Sequence, residues 1–200
     1  MSQTRAFDVF RLLVFVGSLA PLARLVWLGL HNGLSANPFE FVTRSTGTWA
    51  LVFLCLSLAI TPLRRLSGQA QWMRLRRMLG LYSFFYAVLH ASLWVWVDQG
   101  LDVVAMARDV VRRPFIAAGV AAFVLLIPLA ATSTRAMIQR LGRRWRQLHR
   151  LVYVIACAAI LHYAWHKAGK NDFAEVSVYA TIVMWLLGVR AWWWLKDRGR

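Results

Sequence analysis

The sequence predicts an all-α membrane protein, a six-transmembrane helix bundle with both termini in the cytoplasm. The chain of 200 residues is 60% hydrophobic and only 16% charged, which is outside the range that is usual for soluble domains. Apolar stretches that approach the length of a spanning helix recur six times. Lysine and arginine are concentrated in every second connection, as the topology rule for membrane proteins requires.

The six apolar stretches follow one another with short connections. A spanning helix needs roughly 20 mainly apolar residues, and the stretches that come close are 7–30, 47–63, 78–97, 114–134, 149–166 and 176–195. We therefore predict a single transmembrane domain over residues 1–200. No dinucleotide or P-loop motif is present in the sequence, so any hydride or ATP chemistry must come from another protein.

The first stretch could be mistaken for a signal peptide, because Arg5 and Arg11 precede its apolar run. Pro21 directly follows the small residues GSLA and makes a poor cleavage context, and the apolar run continues to Leu30. We therefore predict a retained first span. Pro21 lies inside this span and is expected to kink its helix.

The third and fourth stretches are joined by a longer connection with its own pattern. Residues 98–113 alternate apolar and charged side chains. This alternation predicts a short amphipathic helix that lies on the outer membrane surface.

The charge distribution fixes the predicted topology. Of the 24 Lys and Arg residues, Arg24 and Arg190 fall within spans, and sixteen fall on the N-terminal side. The six on the other side are Arg44, Arg108, Arg112, Arg113, Lys167 and Lys170. The positive-inside rule then places both termini in the cytoplasm and requires an even number of spans. The net charge of +16 is thus mainly a topology signal, and membrane lipid, not nucleic acid, is the expected partner.

Two histidines lie at one depth in different spans. His90 is 12 residues from Met78 at the start of the third span, and His162 is 13 residues from His149 at the start of the fifth. These separations correspond to roughly 18 and 20 Å along a helix. Two neutral imidazoles at one depth suit the axial positions of a six-coordinate haem iron. The alternative is a polar pair that exchanges a hydrogen bond.

His149 has no obvious mate. Thirteen residues rotate it by about 140° from His162 on an ideal helix, and the start of the third span offers Arg76 and Arg77 but no histidine. His149 could hold a second haem, contact another cofactor or quinone, or lie at the headgroup level. His31 and His166 are expected to be interfacial.

Several motifs in order resemble one family. They are GLSANPFEFVTRSTG, RRMLGLYSFFYAVLH, TSTRAMIQRLGRRWRQLHRLVY and ILHY, and the similarity runs from about residue 20 to 195. They resemble the MsrQ (formerly YedZ) family, haem-binding membrane subunits of the bacterial periplasmic methionine sulfoxide reductase system. That family is in turn similar to the transmembrane domain of ferric reductases and NADPH oxidases.

The resemblance implies haem b held by His90, His162 and His149. The role of His149 is implied less directly, because the third span has one histidine where the oxidases have two. It also implies electrons from the quinone pool, an FMN, and delivery across the inner (plasma) membrane to the periplasmic molybdopterin enzyme MsrP. On charge grounds Arg76, Arg77 and Arg144 are candidates for the FMN phosphate or for a quinone contact.

The leading hypothesis is therefore an electron-transfer subunit with no substrate chemistry of its own. Two alternatives stay open. One is a stand-alone ferric or quinone reductase with the same haem, and the other is a membrane transporter or scaffold without haem, in which the histidines are packing or proton-relay groups.

Overall fold

The computed structural model describes residues 3–169 and 171–198, so Lys170, one of the predicted outer charges, lies outside them. The chain is 87% helix, without strands in the part that is described. Six helical segments are long and apolar enough to cross a membrane. The prediction of an all-α, multi-pass membrane protein with six spans is therefore confirmed, and the side on which the termini lie stays a prediction.

The chain divides into two compact units with three spans in each. The first unit ends at Asp98 and the second begins at Gln99. Helices of the first unit are α1 (Gln3–Gly17), α2 (Ala20–Leu30), α3 (Pro38–Ser67) and α4 (Met73–Leu93), with a 3-10 turn (Ala70–Trp72) before α4 and a π-helical turn (Trp94–Asp98) after it. Helices of the second unit are α5 (Val103–Arg112), α6 (Pro114–Ala131), α7 (Arg135–Leu141), α8 (Arg143–Leu148), α9 (Leu151–Ala168) and α10 (Ala174–Arg198).

The helix of the second span begins at Pro38, well before the predicted start at residue 47. The Asn37 side chain accepts a hydrogen bond from the Glu40 amide at 3.1 Å, and a proline at the first helical position needs no amide donor. Glu40 also adds a negative charge to the first turn, where the helix dipole favours it. These caps explain why α3 includes residues 38–46, which were expected to lie in a connection.

The first span is broken between α1 and α2, as expected from Pro21. In a continuous helix the Leu22 amide would donate to the Ser18 carbonyl. Here the Tyr86 hydroxyl from α4 lies between them: it donates to the Ser18 carbonyl at 2.8 Å and accepts from the Leu22 amide at 3.3 Å. The inserted hydroxyl replaces the missing backbone bond, and Tyr82 similarly donates to the Phe15 carbonyl at 2.8 Å.

These tyrosines belong to the hydrophobic core of the first unit. The Tyr86 side chain is fully buried and stacks on Phe53, with ring centroids 5.3 Å apart. The buried members of this core are Phe7, Phe53, Ile60, Leu75, Leu79, Tyr82 and Tyr86. The core therefore anchors both halves of the broken first span to α3 and α4.

Small and hydroxyl side chains join α3 to α4. Ser57 donates to the Arg76 carbonyl at 3.1 Å, and Ser83 donates to the Ala50 carbonyl at 2.9 Å. Small residues let the backbones of spanning helices approach closely, and hydroxyl groups then bond across the contact. This close approach brings α3 backbone atoms within reach of side chains on α4.

In the second unit α6 packs against α9, and α5 precedes them as the predicted short helix. The Asp102 carboxylate caps α5 by accepting from the amides of Val104 and Ala105 at 2.8 and 3.0 Å. Its placement on the membrane surface stays a prediction.

A charged cluster joins the ends of α9 and α10. The Lys167 side chain is only 8% exposed, and its ammonium lies 2.6 Å from the Asp172 carboxylate and 3.9 Å from that of Glu175. Tyr163 also donates to Glu175. A buried ammonium is costly unless it is paired, so these carboxylates explain how a lysine is tolerated there.

Candidate functional site

His90 lies on α4 in the first unit, half-buried against α3. Its Nδ1 is 2.9 Å from the carbonyl oxygen of Thr43. Because a carbonyl can only accept, Nδ1 must carry the proton and donate it. The neutral ring therefore has its lone pair on Nε2, an atom through which histidine binds metals.

The same ring rests on a glycine one helical turn beyond Thr43. A Cβ added to Gly47 would lie 3.0 Å from both Cε1 and Nδ1 of His90. The imidazole thus has two contacts with α3, a hydrogen bond to one residue and van der Waals contact with the next residue on that face.

His162 repeats this arrangement in the second unit. Its Nδ1 is 2.6 Å from the carbonyl oxygen of Phe115 on α6 and so donates to it. One turn further, a Cβ added to Gly119 would lie 2.7 Å from Nδ1 and 2.9 Å from Cε1. The lone pair of His162 is therefore also placed on Nε2.

We call each pair, a carbonyl and the glycine one turn after it, a histidine seat. The two seats are Thr43 with Gly47 and Phe115 with Gly119. In both, 47 residues separate the carbonyl from its histidine, although no internal repeat is evident in the sequence. Metal-binding histidines usually donate their other ring N–H to a carbonyl, carboxylate or water, which fixes the tautomer and raises ligand basicity. Both seats fit that chemistry.

His149 has different contacts, at the junction between α8 and α9. Its Nε2 is 3.1 Å from the Thr132 hydroxyl, which itself lies 2.6 Å from the Pro128 carbonyl. Since a hydroxyl has a single hydrogen and the carbonyl takes it, Nε2 of His149 donates. The ring also stacks on Trp145, with centroids 4.0 Å apart. His149 is therefore held in the opposite tautomer, and iron binding through Nε2 would require it to give up this hydrogen bond.

The remaining histidines lie near the C-terminal ends of α2 and α9. His31 is exposed, stacks on Trp27 and has its Nδ1 2.8 Å from the Trp27 carbonyl. The His166 ring lies 5.5 Å from that of Phe115, which also neighbours His162. Within residues 3–169 and 171–198, no group of three or more His, Cys, Asp or Glu is arranged to hold a metal ion.

The arginines predicted as phosphate or quinone contacts lie near the N-terminal ends of α4 and α9. Arg76 and Arg77 belong to α4, and Arg144 belongs to α8. Arg77 and Arg144 are exposed, and Arg76 is half-buried. Exposed guanidinium groups can bind an anion from solution.

The histidine seats were not predicted from the sequence. Gly47 and Thr43 lie on the part of α3 that was assigned to a connection or a span end. The cap formed by Asn37, Pro38 and Glu40 is a readable helix start and could have placed them on a helix. Nothing in the sequence indicates that these backbone atoms face the histidines.

The six-span fold and the helix-borne histidines define a ferric reductase-like membrane protein. The sequence profile described as "Ferric reductase like transmembrane component" matches residues 46–160, more than half of the chain. That range includes both glycines of the seats, His90 and His149, and it ends two residues before His162.

Several relatives match almost the whole chain. A protein of Ralstonia nicotianae is 59% identical over 194 residues, 96% of this chain and 89% of its own length. A protein of Bordetella pertussis is 57% identical over 195 residues, covering 98% and 95%, and one of Xanthomonas oryzae is 43% identical over 196 residues, covering 95% and 89%. All three are named "Protein-methionine-sulfoxide reductase heme-binding subunit MsrQ". This chain belongs to the MsrQ family, which confirms the resemblance drawn from its motifs.

Proposed function

We propose that this chain is the haem b subunit that carries electrons to a methionine sulfoxide reductase, with His90 and His162 as axial ligands of the iron. The observation that carries the proposal is the pair of matched histidine seats. In each, a backbone carbonyl holds Nδ1–H at 2.9 or 2.6 Å and places the lone pair on Nε2. The names of the relatives, heme-binding subunits of such a reductase, support the same role.

Each of the two histidines has the tautomer that a bis-histidine haem requires. Six-coordinate haem iron takes two neutral imidazoles, and both histidines are fixed in one neutral tautomer on helices of the apolar spans. When bound, the haem would supply a one-electron carrier. The residues of this chain would orient the two rings, keep them basic through the carbonyl bonds, and exclude water with apolar helices.

We further propose the direction of electron flow, from the quinone pool across the inner membrane to periplasmic MsrP. The bacterial relatives support an inner-membrane location, and the positive-inside rule supports cytoplasmic termini. No substrate chemistry is assigned to this chain, because methionine sulfoxide reduction would take place on the partner.

An FMN is part of the proposal through family resemblance alone. Arg76, Arg77 and Arg144 are our candidates for its phosphate or for a quinone contact. Guanidinium groups bind phosphate oxygens through charge-assisted, often bidentate hydrogen bonds, and two of the three are exposed.

Electron delivery can be tested with the purified chain and MsrP. We expect the absorbance of chemically reduced haem to decay to that of the ferric form when MsrP and methionine sulfoxide are added together under argon. Without methionine sulfoxide, haem oxidation should stop once the MsrP present has been reduced, and without MsrP the haem should stay reduced. Oxidation by ferric citrate but not by MsrP would favour the stand-alone reductase, and a colourless preparation without a pyridine haemochrome would favour the transporter or scaffold.

The role of His149 can be settled by haem stoichiometry. We expect His149→Ala to retain the haem held by His90 and His162, because its contacts are with Thr132 and Trp145. Pyridine haemochrome per chain, compared with wild type, is the measurement. A fall from two haems to one would assign a second haem to His149, one of the three roles left open for it, and complete loss of haem would contradict the ligand pair.

A further inference from the structure

We propose that Gly47 and Gly119 are positioning residues for the haem ligands, which rests on the proposed function of His90 and His162. Each glycine lies beside the Nδ1 and Cε1 atoms of an imidazole, while the carbonyl one turn earlier on the same helix holds its Nδ1. The position and the hydrogen bond of the ring are thus set by one backbone segment.

Neither imidazole leaves ordinary room for a methyl group at the neighbouring glycine. An added Cβ at Gly119 would lie 2.7, 2.9 and 3.3 Å from three atoms of the His162 ring, and one at Gly47 would lie 3.0, 3.0 and 3.5 Å from atoms of His90. The 2.7 and 2.9 Å distances at Gly119 are shorter than carbon–nitrogen or carbon–carbon contact allows, and the 3.0 Å distances at Gly47 are tight enough to require a shift of a few tenths of an ångström. Either ring must therefore move if a methyl group is introduced.

The hydrogen bond of His162 limits how its ring can move away from an added methyl group. Nδ1 is the atom nearest the added methyl at Gly119, and it is also the atom bonded to the Phe115 carbonyl. Movement away from the methyl lengthens or bends that bond. The displaced imidazole then loses orientation and basicity, the two properties that a carbonyl partner gives to a metal ligand.

Helix propensity does not favour glycine at positions 47 and 119. Both lie inside helices with ordinary backbone angles, where glycine is less favourable than alanine by about 1 kcal/mol. Close packing of helices alone could account for such a glycine. Gly80 on α4 is an example of a glycine at a helix–helix contact, since an added Cβ there would meet only Ser57 Oγ, at 3.4 Å.

The experiment uses the full chain with Gly47→Ala and Gly119→Ala, and with two controls. Gly80→Ala tests helix packing in the first unit, and Gly188→Ala, whose added Cβ would have nothing within 4 Å, tests an open site in α10. Three readouts are compared: the electron paramagnetic resonance signal of low-spin ferric haem, the rate of haem transfer to excess apomyoglobin, and the thermal stability of the protein.

We expect both seat variants to shift the low-spin signal and to lose haem roughly 10- to 100-fold faster, the usual effect of disturbing a partner of a metal ligand. The effect should be larger for Gly119→Ala, since its contact is closer. Both controls should match wild type in signal and transfer rate.

The proposal is overturned if the seat variants keep the wild-type signal and transfer rate, even if their thermal stability falls. Should Gly119→Ala fail to fold, Gly47→Ala decides, because its contacts can be relieved by a smaller shift. Failure of the proposed function is distinguishable: wild-type protein would then contain no haem, or would retain it in His90→Ala and His162→Ala.

Discussion

Replacing His162 with alanine is expected to abolish the low-spin b-type absorbance of the purified protein, and His90→Ala should do the same. A six-coordinate low-spin iron requires both axial imidazoles. Each variant removes one of the two proposed ligands together with its hydrogen bond to Phe115 or Thr43. The measurement is the reduced-minus-oxidised spectrum, with the pyridine haemochrome to quantify what haem is left.

The chain offers a matched control on the helix of His162 itself. His166 lies one turn further along α9 and is not one of the proposed ligands, so His166→Ala should keep the low-spin spectrum. Exposed His31 provides the corresponding control in the first unit. Unchanged spectra in both His90→Ala and His162→Ala would exclude these residues as ligands.

Tyr86→Phe is expected to destabilise the protein strongly, although it removes a single oxygen atom. The phenyl ring can keep the stacking on Phe53, so no cavity is created. The Ser18 carbonyl and the Leu22 amide lose their shared partner in an apolar environment. An unsatisfied buried group costs about 1–3 kcal/mol, so the two together should lower the free energy of unfolding by about 2–6 kcal/mol.

Thermal unfolding in detergent measures this effect, and Tyr82→Phe serves as the graded comparison. Tyr82 satisfies one backbone group, the Phe15 carbonyl, and its loss should cost about half as much. Equal melting temperatures for wild type and Tyr86→Phe would show that the hydroxyl is not needed to complete the broken helix.

Much of the fold could be predicted from the sequence, because hydropathy and charge report directly on the membrane. The six spans required only the length and apolar character of each stretch, and the kink in the first span required only Pro21. The start of α3 was misplaced because Asn37 and Pro38 are typical both of loops and of helix starts. The hydrogen bond from the Glu40 amide to the Asn37 side chain favours the helix, and hydropathy does not report such a local contact.

The candidate ligands could also be chosen from sequence, since depth in a helix follows from residue number. The residues that contact these ligands could not be predicted from the sequence. The pairing of His90 with Thr43 and of His162 with Phe115 depends on which helices pack together and in what register. His149 shows the same limit: its rotation away from His162 was predictable, whereas the hydroxyl of Thr132 as its partner was not.

The insertion of Tyr86 into the first span has a consequence for biosynthesis. Ser18 and Leu22 precede Tyr86 by 68 and 64 residues, so the ribosome makes the first two spans before it makes the residue that completes the first. Until the third span enters the bilayer, the break in the first span has two backbone groups whose partner in the mature protein does not yet exist. The nascent first span therefore reaches its final hydrogen bonding only after the third span has been inserted.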